Sequence, residues 1–347
     1  MTTIHGLTPW WEPIRSHIHA LHLSTTSEGI AIACCDSLGR VASFSSGYIG
    51  SPEFIHQPII NEHTKFQLAS ISKFITACLV LELSLRGKLK LDEQIQPPHN
   101  ILNVPVTLGQ LLTHRAGFID TAGTLGTIDG SRPFWTTEYW QNNKSHLHQT
   151  ETVGEYHYST WGYWLIQQII EWRLEIPFEQ LLQRWLCFPL GLTATTSSSP
   201  KTMDSTACWG HDSLGKPLAY GWRHFQGIEA AAGVWSSAAD MGLLISYLLQ
   251  PKFTNSKGAK LLVRLSDLIA VPSCYGYQYG LLLTSINREK VLLHTGTNPG
   301  YHAVLQFCPK SKAGFVVMTN LECLNIFNQS LVKYMEWLMV DTAGLAL

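Results

Sequence analysis

The placement of β-strand patterns constrains the fold more than any other feature of this sequence. Near the start of the chain, GIAIACC (29–35) and RVASFSSGY (40–48) are two β-rich runs that flank the turn residues 36–39. After residue 275 the pattern returns to strands joined by short turns, over 277–286, 288–296, 301–307 and 314–320. We therefore predict one antiparallel sheet that is built from both ends of the chain.

Helical periodicity dominates the middle of the chain. After FQLAS, apolar residues recur at helical spacing through SISKFITACLVLELSLRGKL until Gly87 supplies a stop signal. Further helical patterns run over about 161–186 and 237–249, and an amphipathic helix over 326–340 closes the chain. These patterns predict an α/β (α+β) fold in which helices flank the antiparallel sheet and a mostly helical segment is inserted.

The chain length bears on domain organisation. At 347 residues the chain is longer than one hydrophobic core usually serves. We predict a sheet subdomain made of residues 1–66 and 225–347, a mostly helical subdomain made of residues 67–224, and an active site in the cleft between them. One large domain with an insertion is the alternative.

Charge and composition argue against several classes of partner. The formal net charge is −1 and no stretch is dense in Lys and Arg, so neither nucleic acid nor an anionic membrane surface is expected as a partner. The first residues lack a charged segment followed by an apolar one, and no apolar run approaches bilayer-spanning length. We expect a cytoplasmic protein with eight reduced cysteines. The oligomeric state stays open.

A Ser-x-x-Lys pattern is the first candidate for chemistry, although spacing alone does not single out one copy. The pattern occurs at Ser70/Lys73, Ser198/Lys201, Ser213/Lys216 and Ser330/Lys333. The second and third copies lie in polar loops, and the fourth lies in the terminal helix, where a solvated face explains it. Only Ser70 opens a strongly apolar helix.

That position gives the pair a chemical rationale. Residues three apart on a helix are neighbours, so the Lys73 amine can reach the Ser70 hydroxyl. The helix N-terminus favours a developing alkoxide, and burial with nearby cations lowers the pKa of a lysine towards neutrality. The alternative interpretation is an N-cap serine with a lysine that extends to solvent.

Five ordered segments together resemble the serine β-lactamase and penicillin-binding-protein family, of the class C β-lactamase, DD-peptidase and esterase type. They are LASISKFITACLVLELSLRGKLKLDEQI (68–95), LLTHRAGF (111–118), YSTWGYWLIQQIIEW (158–172), AAGVWSSAADMG (231–242) and HTGTNPGYHAVLQF (294–307). The resemblance runs from about residue 29 to residue 320. It implies a β-lactamase/transpeptidase-like fold and acyl-enzyme chemistry at a serine.

Carried over by position, the resemblance assigns roles to seven residues. It implies that Ser70 is the nucleophile, that Lys73 accepts its proton and that Tyr158 moves protons towards the leaving group. The backbone N–H groups of Ser70 and Thr297 would form the oxyanion hole. Substrate would be bound beside Thr160, His294 and Gly296. The resemblance implies neither a metal nor a cofactor.

The sequence departs from the family pattern at the tyrosine motif. The family usually has Tyr-x-Asn, whereas this chain has Tyr158-Ser159-Thr160, and threonine offers one hydroxyl in place of an amide. The strand motif reads His294-Thr295-Gly296, where the family commonly carries Lys or His first. No convincing deacylating glutamate is found, so we expect Tyr158 or Lys73 to activate any hydrolytic water.

Other polar and aromatic groups are given smaller roles. His17, His19 and His22, like His146 and His148, have no metal-ligand spacing. His114 and Asp240 are interpreted as structural or supporting residues. For each of seven aromatic residues, a place in an acyl pocket and a place in the core are predicted with equal weight. They are Phe134, Trp135, Tyr139, Trp140, Trp161, Trp222 and Trp235.

Together these features predict a serine acyl-enzyme hydrolase or acyltransferase that acts on an ester, amide or lactam carbonyl. The aromatic content favours a hydrophobic acyl or peptide-derived small molecule as the substrate. The alternative hypothesis is a catalytically degenerate binding or scaffold protein on the same fold, and Thr160 is the feature that favours it.

Overall fold

The computed structural model describes residues 29–95, 104–120, 153–200, 204–219, 227–250, 263–269 and 276–322, together with Val332, Lys333, Met335, Glu336 and Met339 in helical conformation. The histidines of the N-terminal stretch and His146 and His148 lie outside the described residues. So do five of the aromatic residues named above: Phe134, Trp135, Tyr139, Trp140 and Trp222.

A seven-stranded antiparallel sheet forms the centre of the described structure, in the order β2-β1-β9-β8-β7-β6-β5. Its strands are β1 (Ile30–Cys35), β2 (Val41–Ser46), β5 (Tyr277–Gln278), β6 (Leu281–Ile286), β7 (Glu289–Asn298), β8 (Tyr301–Cys308) and β9 (Ala313–Thr319). Strands β3 (Phe66–Gln67) and β4 (Trp235–Ser236) pair separately. Because β1 pairs with β9, the two ends of the chain share one sheet, as predicted.

Both faces of this sheet are covered, and the alternation of side chains along β1 shows how. Ala31, Ala33 and Cys35 join the larger core, which contains most of the helical residues. Ile32 and its neighbours at even positions face a second core with β9 and with Met335 and Met339. Successive side chains of a strand point to opposite faces, so a strand that is buried on both sides is apolar throughout.

The helices are α1 (Ser72–Leu85), α2 (Leu108–Leu112), α3 (Thr160–Leu174), α4 (Phe178–Leu182), α5 (Phe188–Leu190), α6 (Ala238–Leu249) and α7 (Leu265–Leu268). A π-helical turn, Gln183–Cys187, joins α4 to α5. The predicted helix over 161–186 is therefore interrupted, because Glu175 adopts the left-handed region (φ 53°) and Pro177 precedes α4. Within the described residues, no helix combines the length and the apolar character that a membrane crossing requires.

The predicted strand over 277–286 is also interrupted, and the reason lies in the packing. Gly280 between β5 and β6 has φ 80°, and a Cβ there would lie 2.5 Å from the Cα of Phe74 in α1. Only glycine allows this backbone to approach the helix so closely. Gly280 thereby lies against the backbone of Lys73 and Phe74, which follow Ser70.

The division into a sheet subdomain and a mostly helical subdomain, with boundaries at residues 66 and 225, stays a prediction. The strands of the large sheet lie within 30–46 and 277–319, and α1 to α5 lie within 72–190. Six cysteines of the described residues are buried and free: Cys34, Cys35, Cys78, Cys187, Cys208 and Cys308.

Candidate active site

Ser70 lies in a short 3₁₀ turn, Ala69–Ile71, that runs directly into α1. Its neighbours Leu68, Ala69 and Ile71 are fully buried, whereas Ser70 is partly exposed. Ala69 has φ 47°, a left-handed conformation that is uncommon for a residue with a Cβ and that persists only where the surroundings enforce it. The turn therefore presents the Ser70 hydroxyl at the surface from a buried and constrained backbone.

Lys73 is completely buried and points at that hydroxyl. Its Nζ donates to Ser70 Oγ at 3.2 Å and to the carbonyl oxygen of Ala231 at 2.9 Å. The same nitrogen is 5.0 Å from the ring centroid of Tyr158 and 5.8 Å from that of Tyr163. A carbonyl oxygen and two aromatic faces replace the water that a lysine amine loses on burial.

The Ala231 carbonyl belongs to a π-helical turn, Glu229–Gly233, that packs along the first turns of α1. The Thr76 hydroxyl donates to the carbonyl oxygen of Ala230 at 2.8 Å, and the Ser72 hydroxyl accepts from the backbone N–H of Val234 at 3.0 Å. These side chains fix the turn against the helix, and with it the acceptor for Lys73. Ser72 and Thr76 carried no functional signal in the sequence.

The backbone of strand β7 lies directly against the Ser70 turn at Gly296. A Cβ on Gly296 would lie 2.2 Å from the carbonyl oxygen of Leu68 and 3.1 Å from the backbone nitrogen of Ser70. Thr295 and Thr297 are exposed, and the residues between and beside them are buried, as expected for alternating sides of a strand. Gly296 thus permits the backbone next to Thr297 to lie against the Ser70 turn.

The first residue of the same motif, His294, points away from solvent and is only 3% exposed. Its Nδ1 is 2.6 Å from the carbonyl oxygen of Thr295, and its Nε2 is 3.4 Å from the hydroxyl of Tyr277. Burial and the nearby Lys73 charge lower the pKa of His294 to about 3. A carbonyl only accepts, so Nδ1 carries the proton and the Tyr277 hydroxyl donates to Nε2 of a neutral ring.

Tyr158 faces Lys73 from the other wall of the site and is 37% exposed. Its ring centroid is 4.4 Å from that of His114, 6.2 Å from Tyr277 and 6.4 Å from His294. Ser159 caps α3 by accepting from the backbone N–H of Gly162 at 3.2 Å. Tyr158 therefore sits immediately before a helix N-terminus, above a layer of aromatic and imidazole rings.

Thr160 is the first residue of α3 and is 5% exposed. Its backbone N–H donates to Asp120 Oδ2 at 2.7 Å. Sequence patterns did not identify Asp120, because it lies 40 residues from Thr160 and the two meet only in the folded chain.

The structure thus brings Ser70, Lys73 and Tyr158 together and puts Gly296 beside Ser70. In the other Ser-x-x-Lys copies, Ser198, Ser213 and Lys216 are exposed, unlike the buried Lys73. Lys201 and Ser330 lie outside the described residues.

Three further residues of the sequence analysis have structural contacts. Asp240, at the start of α6, accepts from the Thr195 hydroxyl and from the backbone N–H of Ala194. Trp161 and Trp235 are buried, and Trp235 packs edge-on against Tyr301.

Comparison with known sequences identifies the class of protein. Residues 29–325 match the sequence model of the family described as Beta-lactamase, and the chain belongs to this family, whose members are serine acyl-transferring hydrolases of amides and lactams. Protein flp of Staphylococcus aureus (strain N315) is 24% identical over 272 residues, which cover 74% of this chain and 53% of that protein. A Beta-lactamase of Pseudomonas fluorescens is 26% identical over 199 residues, 55% of this chain and 51% of that protein. The chain spans about half the length of these relatives.

Solved structures agree on the fold. A D-amino acid amidase from Ochrobactrum anthropi SV3, complexed with L-phenylalanine amide, superposes with a TM-score of 0.73 at 20% identity and covers 96% of this chain and 99% of its own. An octameric penicillin-binding protein homologue from Pyrococcus abyssi gives 0.73 at 21%, covering 95% and 77%. The penicillin binding protein from Bacillus halodurans gives 0.72 at 19%, covering 94% and 99%. The fold is that of the β-lactamases and transpeptidases, as the sequence resemblance predicted.

Proposed function

We propose that this chain is a serine hydrolase or acyltransferase that works through an acyl-enzyme on Ser70. The observation that carries the proposal is the 3.2 Å hydrogen bond between Lys73 Nζ and Ser70 Oγ. It joins a completely buried amine to a partly exposed hydroxyl in the turn beside Gly296 of β7. A serine needs a base within hydrogen-bond reach to become a nucleophile, and Lys73 is placed to be that base.

Acylation would proceed as follows. Lys73 takes the proton of Ser70 while Oγ attacks the carbonyl carbon of the substrate. The negative charge that forms on the carbonyl oxygen is stabilised by the backbone N–H groups of Ser70 and Thr297. The C–O or C–N bond then breaks, and the leaving group takes a proton through Tyr158, which Lys73 resupplies. The product is an ester of Ser70 and a released alcohol or amine.

Deacylation would reverse these roles. Lys73 removes a proton from water, or from an acceptor alcohol or amine, either directly or through Tyr158, which passes its own proton to Lys73 as it takes the new one. The deprotonated acceptor attacks the ester carbonyl. The same N–H groups stabilise the second oxyanion, and Ser70 recovers its proton from Lys73. In this cycle Lys73 and Tyr158 carry each proton between Ser70, the leaving group and the incoming acceptor.

We infer that the substrate is a small ester, amide or lactam with a hydrophobic or peptide-derived acyl group. Support comes from the rings of Tyr158 and its neighbours at the site, and from the structural likeness to an amidase solved with an amino acid amide. Thr160 presents a hydroxyl where the family usually has an amide, which favours a substrate that does not need an amide contact there. His294 and Gly296 would shape the opposite edge.

Intact mass after incubation with a fluorophosphonate and with a penicillin tests the proposal. The wild-type chain is expected to gain one adduct, and Ser70→Ala is expected to gain none. Ser72→Ala is the matched control, because that serine is two residues away, completely buried and bonded to Val234. An adduct that still forms on the Ser70→Ala variant would show that a residue other than Ser70 is the nucleophile.

A non-catalytic binding or scaffold protein is the second candidate, and the Thr160 departure is the observation in its favour. This candidate predicts no adduct on the wild type with either probe. A further measurement separates hydrolysis from transfer. If the acyl adduct from a p-nitrophenyl ester clears in water alone, hydrolysis is the outcome, whereas clearance only after an amine or alcohol is added indicates transfer.

A further inference from the structure

Two residues outside the proposed catalytic set, His114 and Asp120, hydrogen-bond to the residues on either side of Tyr158. The backbone N–H of Ser159 donates to His114 Nδ1 at 3.1 Å, and that of His157 donates to the His114 carbonyl oxygen at 2.9 Å. Asp120 accepts from the Ser159 hydroxyl at 3.0 Å and from the Thr160 N–H at 2.7 Å. We call His114 and Asp120 the tyrosine clamp.

The clamp reaches Tyr158 through its ring as well as through its backbone neighbours. The His114 ring is 3% exposed, and its centroid is 4.4 Å from that of Tyr158. On its other sides His114 meets the rings of Tyr277 at 4.5 Å and Tyr163 at 5.2 Å. The His114 ring is therefore packed between the ring of Tyr158 and the rings of two other tyrosines.

Hydrogen bonding fixes the protonation state of the clamp. Because His114 Nδ1 accepts from a backbone N–H, it carries no proton and the ring is neutral. Burial lowers the pKa of His114 well below its usual value, and the positive charge of Lys73 acts in the same direction. Asp120 accepts with both of its oxygens. The clamp is therefore complete only while the His114 ring is neutral.

We propose that His114 and Asp120 are positioning residues that aim the Tyr158 hydroxyl at the leaving group. This inference rests on the proposed function, since it assigns a supporting role in the same acylation step. Tyr158 needs such support because it precedes α3 and is partly exposed, so its own burial does not fix it. A displacement of about 1 Å at a proton donor costs rate without preventing substrate from binding.

The dependence of kcat/KM on the leaving group separates positioning from a general structural defect. p-Nitrophenolate leaves without a proton at neutral pH, whereas phenolate is more basic and gains more from a proton donor. Loss of the clamp should leave kcat/KM for a p-nitrophenyl ester within about threefold of the wild type and lower it about tenfold or more for the phenyl ester of the same acid. A defect in the nucleophile or in folding lowers both equally.

His114→Asn and His114→Leu form the decisive pair. Asparagine offers Oδ1 where Nδ1 accepts, and it tolerates the left-handed backbone of His114, which has φ 57°. We expect the Asn variant to keep the wild-type ratio of the two esters and the Leu variant to lose it. Asp120→Asn, which keeps one accepting oxygen, and Asp120→Ala supply a second pair should His114→Leu fail to fold.

Two outcomes contradict the inference: equal loss on both esters in a folded Leu or Ala variant, or no change in either. Folding is checked by the thermal midpoint of each variant. The wild type is first tested for an adduct on Ser70 by mass. An absent adduct overturns the proposed function itself, whereas a present adduct with an unchanged ester ratio overturns the clamp alone.

Discussion

The active site has a nucleophile wall, which carries Ser70, and a tyrosine wall, which carries Tyr158, and different kinds of contact hold each of them in place. On the nucleophile wall, Ser70 is fixed mainly by close backbone packing: Leu68 donates to the Val234 carbonyl oxygen at 2.8 Å, and β7 lies against it where Gly296 has no side chain. On the tyrosine wall, Tyr158 is fixed by the side chains of His114 and Asp120. The nucleophile wall therefore depends on the absence of a side chain at Gly296, and the tyrosine wall depends on the titratable side chains of His114 and Asp120.

This difference predicts different sensitivities. Backbone packing tolerates pH change but not added volume, because interiors are packed without free space. Hydrogen bonds from titratable side chains tolerate small volume changes but fail when a proton is gained or lost. The experiments below challenge that contrast.

Adding a methyl group to the nucleophile wall should have the largest effect. In Gly296→Ala the new Cβ would lie 2.2 Å from the carbonyl oxygen of Leu68, so the strand or the Ser70 turn must shift. We expect loss of about 2 to 3 kcal/mol of unfolding free energy and of about a hundredfold or more in kcat/KM.

Gly162→Ala on the tyrosine wall is the matched control. Its new Cβ would meet nothing closer than the Leu111 carbonyl oxygen at 3.8 Å, and alanine favours the helix, so stability should stay equal or rise by about 0.5 to 1 kcal/mol. Equal damage in both variants would remove the distinction between the walls.

Acidification should act on the buried histidines. The pKa of His114 lies well below its usual value and that of His294 is about 3, so both are neutral in the folded chain, whereas in the unfolded chain they titrate near pH 6.5. Below that pH the unfolded state binds more protons, so stability is lost as pH falls from about 6.5 towards the folded pKa values, by about 1.4 kcal/mol per pH unit for each histidine.

Denaturant unfolding at pH 7.5, 6.0 and 5.0 measures this slope. His114→Asn removes one of the two titrating groups and should make the unfolding free energy less dependent on pH. A slope in this variant as steep as in the wild type would show that His114 is not held neutral by the fold.

The hydrogen bonds between α1 and the turn at 229–233 should give smaller effects. Ser72→Ala removes the acceptor for the buried N–H of Val234, and we expect a loss of about 1 to 2 kcal/mol in unfolding free energy. Thr76→Val, which preserves shape and removes the bond to the Ala230 carbonyl oxygen, should cost less, about 1 kcal/mol. If both substitutions are neutral, side chains contribute less to this wall than its backbone contacts do.

Thr160→Asn should cost little stability, within about 1 kcal/mol although the side chain is buried, because the helix cap at Ser159 and the backbone bond to Asp120 remain. We expect turnover of penicillin and of peptide amides to rise relative to that of simple esters, since an amide side chain can both donate and accept. Unchanged turnover of both classes would count against the interpretation of this departure from the family pattern.

Several features of the molecule could be predicted from local patterns. The alternating and continuous apolar runs predicted the strands β1, β7, β8 and β9 and their pairing in one sheet. Such runs are informative because the spacing of apolar residues along a strand shows which of its faces are buried. The helical spacing after Ser70 located α1, and the three-residue separation put Lys73 within reach of the hydroxyl. The sequence patterns did not predict the interruptions at Glu175 and at Gly280. The first follows from a left-handed residue and the second from close tertiary packing, and both occur within an otherwise regular pattern.

What only the tertiary structure decided is the set of partners around each proposed catalytic group. The acceptor for Lys73 is 158 residues away at Ala231, and the acceptor for the Thr160 N–H is 40 residues away at Asp120. Neither contact follows a local spacing, because residues so far apart meet only after the sheet and helices have packed. The burial that makes His294 neutral arises in the same way, since the sequence supplies the imidazole and the packed layer of tyrosines supplies its environment.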